Sequence, residues 1–283
     1  MFSKKSISFV LLSFFAGSIG AVIGVLTLGK VFFDLPIKQS IGLGILIYAA
    51  LVAIYVLNYV FSSLIISVKK RFVTSVWGTA IIIRDEVFAE INSVRRLPFN
   101  EDASVKALRN ACNEIKKFYD VRTGAETSVS IKIPIINYVD VASMEVKNLC
   151  RDSQHFSRDN DVYKSVHHNV VGNTAYSWIV SELQNKKKGV YYFNNDIENT
   201  KDYRNTSKNC HPDGRLPYQS EIVVPIIPAL QTQNNSEICG FLCLDCTNDN
   251  AFSDETGYDI AFLTGIADGI YDLVKSIITQ RKK

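Results

Sequence analysis

Two long stretches without a charged residue lie near the beginning of the chain. They run from Ile7 to Leu28 and from Ile41 to Ile66, and a short polar segment separates them. About 20 apolar residues in an α-helix cross a hydrocarbon core of about 30 Å. Only backbone that satisfies its own hydrogen bonds is tolerated there, so each stretch is expected to be helical. The sequence therefore predicts a transmembrane hairpin of two helices within residues 1–67.

Basic residues near these stretches predict the orientation of the hairpin. Lys4 and Lys5 precede the first stretch, and residues 69–71 form a basic cluster after the second. Lys and Arg resist translocation, so both termini are expected to be cytoplasmic, in a multi-pass protein of an inner or plasma membrane. A cleaved signal sequence ending near Ala21 is the alternative, although the apolar run continues beyond it. Because neither stretch contains Asp, Glu, Lys, Arg or His, we interpret the hairpin as an anchor in the lipid bilayer rather than a transporter.

Net charge and cysteine content limit the partners of the chain. The net charge of +3 is too small to predict nucleic-acid binding. The six cysteines are expected to be reduced thiols in a cytoplasmic compartment. Cys239 and Cys243 would share one face of a strand, which is too extended to form a zinc knuckle with Cys246 and His211. The sequence therefore predicts no metal site and no cofactor.

A connector follows the second apolar stretch. Apolar residues recur at steps of three and four from Phe72 to Val94, which predicts an amphipathic helix that Pro98 stops. Such a helix either pairs in parallel with a second copy in a homodimer or lies on its own domain. The apolar stripe fits either arrangement. We expect this connector to cover residues 68–97.

The rest of the chain, residues 98–283, combines helical and strand patterns in one α+β domain. Asn100 and Asp254 are suitable N-caps for the first and last of its helices. The predicted helices cover residues 101–119, 173–183 and 254–279, and the predicted strands cover residues 127–135, 141–149, 189–194, 220–230 and 237–247. This order predicts one antiparallel sheet with the terminal helices on one face. The loop over residues 195–219 is too long to be a simple connection, and such loops often cover binding sites.

Four segments of this domain resemble a GAF domain. They are VVGNTAYSWI at Val170–Ile179, YQSEIVVPI at Tyr218–Ile226, GFLCLDC at Gly240–Cys246 and NAFSDETGYDIAFLTGIADGI at Asn250–Ile270. The resemblance implies a GAF-like antiparallel sheet with helices packed on it, in a small-molecule sensing or dimerisation module. It also implies a pocket on the sheet face opposite the terminal helices. The short helix and the loop over residues 195–219 would form the roof of this pocket.

Seven residues are expected to line that pocket and bind a small molecule of unknown identity. They are Trp178, Tyr192, Asn194, Asp196, Tyr218, Glu221 and Asp245. Two acids would favour a ligand that carries an amine or another cation. Alternatively, Glu221 pairs with Arg215 or Arg204 at a sheet edge, and Asp245 caps the turn that follows its strand.

One branch of the GAF family, the free methionine sulfoxide reductases, has an acid on each of two matching strands and a reactive cysteine upstream. Glu221, Asp245 and Cys210 are similar in position. Cys243 replaces a further acid, and residues 170–173 lack the second cysteine that would resolve an oxidised thiol. We therefore predict no catalytic residue and do not expect an enzyme.

The preferred interpretation is a membrane-anchored cytoplasmic sensor. It would bind a small molecule and signal through dimerisation or through a separate output protein. A reductase-like enzyme is the first alternative. The second is a stress or defence effector in which the domain controls a membrane-active hairpin.

Overall fold

The computed structural model describes residues 36–135, 144–159, 168–185, 187–211, 213–228, 238–253 and 257–282. The helices are α1 (Ile37–Arg95), α2 (Glu101–Thr123), α3 (Thr174–Gln184) and α4 (Tyr258–Arg281). The strands are β1 (Thr127–Pro134), β2 (Glu145–Arg151), β3 (His168–Asn169), β4 (Tyr192–Asn194), β5 (Ser220–Ile226) and β6 (Gly240–Cys246). Two short 3₁₀ helices cover Ser153–Asp159 and Thr206–Cys210.

Helix α1 contains an apolar stretch that overlaps the second predicted span. Residues Ile45–Val68 have a mean hydropathy of 2.1, and by length and composition they are sufficient to cross a membrane. The first predicted span lies outside the described residues, so the hairpin, its orientation and the membrane localisation stay predictions. The chain forms two compact units, Met1–Ser75 and Val76–Lys283. The predicted boundaries at residues 67 and 97 also stay predictions.

A six-stranded antiparallel sheet forms the centre of the second unit. Its strand order is β3-β2-β1-β6-β5-β4, so β1 and β6 are the two central strands. All five predicted strands occur in this sheet, with ends shifted by a few residues. Strand β3 was not predicted, because two residues are too few to show an alternating pattern.

The two faces of the sheet are covered by different helices, as predicted. Alternating residues of β1, namely Val129, Ile131 and Ile133, face a core that includes the buried sides of α2 and α4. The opposite face carries a smaller cluster that includes Tyr176 and Ile179 of α3. Both faces are therefore covered, and polar residues on the α3 side of β1, such as Ser130 and Lys132, are buried.

The last five turns of α1 lie on the domain to which they belong. Ala80, Ile83, Val87 and Ile91 of the predicted stripe are buried in the same core as α2 and α4. The Trp77 ring lies 6.0 Å from that of Phe118 on α2 and 5.0 Å from that of Tyr258 on α4. Of the two arrangements left open by the sequence, packing on its own domain is the one observed. Pairing with a second copy stays a prediction.

Gly269 is expected to control how closely this part of α1 approaches α4. A β-carbon at Gly269 would overlap the Phe88 ring, whereas one at Gly265 would have no neighbour within 4 Å. We expect Gly269→Ala to lower the free energy of unfolding by about 1–3 kcal/mol, as overpacking does. It should also accelerate amide exchange over residues 76–95. Gly265→Ala is the matched control and should be neutral or stabilising, since alanine favours helices; equal effects of the two changes would contradict this account.

Candidate ligand-binding site

A cavity lies on the α3 side of the sheet. Strands β1, β2, β5 and β6 form its floor, and the start of α3 and residues 195–219, here called the lid loop, cover it. The volume open to the centre of a water molecule is about 70 Å³, roughly half of the about 150 Å³ cavity known to accept benzene. In this arrangement the cavity accommodates a compound of few heavy atoms, or one group of a larger ligand.

Two carboxylates stand side by side on the cavity floor. Glu221 of β5 pairs in register with Asp245 of β6, and residues opposite each other on antiparallel strands have adjacent side chains on the same face. Glu221 is only 3% exposed. Burial, followed by the charge of Asp245, raises the pKa of Glu221 to about 8. The Glu221 side chain is therefore largely a neutral carboxylic acid near pH 7 and is able to donate a hydrogen bond.

The lid loop is hydrogen-bonded to this acid. The Tyr203 hydroxyl donates to Glu221 Oε1 at 2.7 Å. Asn205 Nδ2 donates to the hydroxyls of Tyr203 and Tyr218, at 3.1 and 2.8 Å. The partner of Glu221 is thus Tyr203, and the predicted alternative of a pair with Arg215 or Arg204 is wrong. The lid loop folds back over the strand that follows it, which brings a tyrosine closer than either arginine.

A second set of bonds joins the lid loop to the start of α3. Asn173 Oδ1 accepts from the Thr206 amide at 2.9 Å, and the Thr206 hydroxyl lies 2.7 Å from His168 Nδ1. The backbone amide of Thr174 donates to the Arg204 carbonyl at 2.9 Å. Asn173 is the N-cap residue of α3, yet its side chain makes no capping bond. Its amide group binds the loop instead, so closure of the lid loop and the start of α3 depend on the same residue.

Cations line the cavity as well as acids. They belong to Lys132 of β1, Arg151 of β2 and Arg204 of the lid loop. Three basic side chains therefore line the cavity together with two acids, and the expectation that the acids favour a cationic ligand stays a prediction. Lys132 was not among the predicted site residues, because a lysine in an alternating strand usually faces solvent. Both faces of the sheet are covered, so the polar residues on the α3 face of β1 must lie inside the domain. This argument could have identified Lys132.

Three of the seven predicted site residues come together at this cavity, namely Tyr218, Glu221 and Asp245. Trp178 is 51% exposed and, with Tyr192, lines a separate shallow groove. The Asn194 amide donates to Thr200 Oγ1 at 3.0 Å. Asp196 Oδ1 accepts from the Asn199 amide at 3.2 Å, within the same turn. The structure therefore places these last four residues outside the cavity lining.

The thiol in the cavity is unsuited to nucleophilic chemistry. Burial raises the pKa of Cys243 to about 12, although Lys132 acts in the opposite direction, so the thiolate is scarce at neutral pH. Cys210 ends a 3₁₀ helix of the lid loop, and its side chain lies outside the described part of the structure. Cys239 packs on the α2 and α4 side while Cys243 packs on the α3 side, because β6 begins only at Gly240. The prediction that both cysteines share one face is wrong.

No cluster of three or more His, Cys, Asp or Glu side chains that could hold a metal ion occurs among the residues that the structure describes. The groups around the cavity are hydrogen-bond donors, two carboxyl groups and fixed cations. Such a set is suited to bind and orient a small polar organic molecule.

No family model matches the sequence, and no curated protein matches it significantly. Among solved structures, a type II free methionine-R-sulfoxide reductase from Thermoplasma acidophilum is similar over 62% of this chain and 96% of that one, with 20% identity and a TM-score of 0.41. A GAF sensor protein from Burkholderia vietnamiensis is similar over 72% and 98%, with 11% identity and a TM-score of 0.46. The GAF domain of a phosphoenolpyruvate-protein phosphotransferase from Coxiella burnetii is similar over 72% and 95%, with 15% identity and a TM-score of 0.43.

GAF domains are thus among the structural neighbours of this chain, and so is an enzyme. With such identities and TM-scores, these neighbours do not indicate a ligand or an activity for this chain. The arrangement in the structure itself is the one that the sequence resemblance implies. Terminal helices lie on one face of the antiparallel sheet, and a cavity on the other face lies under a short helix and a long loop.

Proposed function

We propose that the chain is a membrane-anchored, GAF-like sensor that binds a small molecule under the lid loop. The observation that carries this proposal is a cavity in which charged and polar groups converge beneath a loop that hydrogen bonds join to Glu221 and to the start of α3. Each such bond contributes only about 1 kcal/mol net. In the proposed mechanism the lid loop opens to admit a ligand, and the bound ligand favours the closed arrangement.

The route from the cavity to the helices is short. Glu221 faces the cavity, whereas its neighbours Ile222 and Val224 face the core that contains α4 and the last turns of α1. A ligand would either displace Tyr203 from Glu221 or strengthen their contact. Either effect would change the position of strand β5 relative to the helices on the two faces of the sheet. Ligand binding shifts such an equilibrium only by its difference in affinity between the two arrangements. The output would pass to a second copy of the chain or to a separate protein.

Co-purification of a ligand tests this proposal. The full chain, purified from cells into lipid nanodiscs, is expected to release a small molecule on denaturation, detected by mass spectrometry. Adding that compound back to emptied protein should slow amide exchange in the lid loop and over residues 76–95. A ligand that binds but leaves exchange unchanged in both regions would refute the sensor mechanism. Recovery of the domain without any ligand, from every growth condition, would argue against a binding function.

Loosening the lid loop provides a second test. Thr206→Val removes the hydroxyl that lies against His168 and Asn173, so we expect faster amide exchange over residues 195–211. The co-purified compound should be bound more weakly as a result. Thr279→Val is the matched control, because Thr279 is exposed and its hydroxyl bonds only to the Lys275 carbonyl of its own helix. The role of the Thr206 contacts would be rejected if both variants exchanged at the same rate in this region.

Reduction of free methionine sulfoxide is the second candidate function, favoured by the paired positions of Glu221 and Asp245 on the cavity floor. Residues 170–173 contain no cysteine that would resolve an oxidised Cys210, which argues against it. Incubation of the full chain with methionine sulfoxide and excess dithiothreitol is expected to yield no methionine above a protein-free control. Turnover that disappears in a Cys210→Ser variant would instead establish the enzyme.

A further inference from the structure

Lys132 is a buried cation without a role in the sensor mechanism proposed above. Its side chain lies on the cavity floor and the residue is only 9% exposed. In the described ranges no hydrogen bond or ion pair reaches its ammonium group. The Tyr176 ring lies beside it, with its centre 5.6 Å from Nζ. A contact at this distance is weakly favourable but leaves the donors of the ammonium unused.

An ammonium group in this setting is unfavourable for the folded protein unless something pairs with it. Desolvation of a charged amine is large, and a partner has to offset it. Burial accordingly lowers the pKa of Lys132. Glu221 is a poor counter-ion near pH 7, because burial raises the pKa of that acid to about 8. Asp245 and Glu221 act on the Lys132 charge from a distance, and among the described residues neither acid forms an ion pair with it.

Neighbouring groups make the same end of the cavity attractive to an anion. Asn148 pairs in register with Lys132 across β1 and β2, and Arg151 pairs with Ser130 on the same two strands. All four residues line the cavity. Together they supply two cations, an amide and a hydroxyl at one end, while the two carboxyl groups lie on β5 and β6. The cavity thus has a basic end and an acidic end.

We propose that Lys132 forms an anion subsite, and that the cavity takes a small ligand whose carboxylate group contacts the Lys132 ammonium. This inference rests on the proposed function, since it names the chemical class of the ligand at the same site. A single ammonium in a small cavity suits a compact group with one negative charge. The ligand is then a small carboxylic acid, or a larger molecule that places a carboxylate on β1 and β2.

Thermal unfolding of the full chain in nanodiscs tests the subsite with simple probes. Sodium acetate is expected to raise the midpoint relative to sodium chloride at equal ionic strength, and methylammonium chloride is expected not to. In Lys132→Met the affinity for acetate should fall by roughly tenfold or more, the loss typical of a charge-assisted hydrogen bond. Lys275→Met is the matched control, because Lys275 also lies over a tyrosine ring, at 5.5 Å, but outside the cavity.

The ligand-free variant gives an independent readout. Removal of an unpaired buried charge should leave the midpoint of Lys132→Met at or above that of the parent chain. A clear decrease would show that Lys132 has a structural role and would overturn the proposal. Stabilisation by methylammonium but not by acetate would also overturn it, while leaving ligand binding in the cavity intact. Failure of the binding function itself is recognised separately, by the absence of any co-purified compound.

Discussion

Replacement of Glu221 by Gln is expected to stabilise the domain strongly at alkaline pH and hardly at all in acid. The pKa of this acid is raised from its ordinary value of 4.5 to about 8 by burial and by Asp245. A raised pKa in the folded state means that the contribution of the acid to stability is complete below about pH 4.5 and is lost as the pH rises through about 8. The glutamine side chain of the variant would stay neutral throughout and would still accept the bond from Tyr203. The difference between variant and parent should approach about 5 kcal/mol near pH 9.

Urea unfolding near pH 5 and pH 9 measures this difference. Both tryptophans, Trp77 and Trp178, belong to the second unit, so their fluorescence reports on it within the full chain. Glu198→Gln is the matched control, because Glu198 lies in the lid loop with an exposed side chain. Its stability should follow the parent chain at both pH values. Equal shifts for Glu221→Gln at both pH values, or a loss of stability near pH 9, would show that Glu221 is ionised without penalty.

The architecture of the domain was predictable because each element has a local signal. Alternating Val129, Ile131 and Ile133 identify a strand, and the Asn100 side chain caps α2 by accepting from the Ala103 amide at 2.9 Å, as predicted. Where the signal was ambiguous, the observed end of the element differs from the predicted one. Helix α4 begins at Tyr258 after Gly257, whose φ of 61° suits glycine, and the predicted cap Asp254 lies outside the described residues.

The site was predictable only where strand register determined it. Glu221 and Asp245 lie on the same face of neighbouring strands and line the cavity, as the resemblance to GAF domains implied, while their contact with a ligand stays a prediction. Trp178 was misplaced because a short helix with apolar residues on several sides does not reveal which side faces the sheet. Tyr203 was missed because a loop has no periodicity, and its contact with Glu221 depends on how the whole loop folds back. Contacts of this kind arise from tertiary packing, which a local pattern does not encode.

Breaking the ion pair between Arg122 and Asp259 is expected to have the second large effect. Arg122 Nη2 of α2 lies 2.5 Å from Asp259 Oδ2 of α4, and the Asp259 side chain is fully buried. Burial raises the pKa of Asp259, although Arg122 acts in the opposite direction. Arg122→Leu leaves this carboxylate without its cation in the core, which typically lowers the free energy of unfolding by about 3–5 kcal/mol.

Two further variants separate the buried charge from the loss of packing. Arg281→Leu breaks an ion pair in which Nε and Nη2 of Arg281 both donate to Glu101 Oε1, but both partners of that pair are partly exposed. An exposed pair contributes about 1 kcal/mol or less, so this control should unfold almost like the parent chain. In the double variant Arg122→Leu with Asp259→Asn, removal of the unpaired charge should recover part of the stability, because an amide is less unfavourable in the core than an ion. If the double variant were no more stable than Arg122→Leu alone, the loss would come from packing between α2 and α4 and not from the isolated carboxylate.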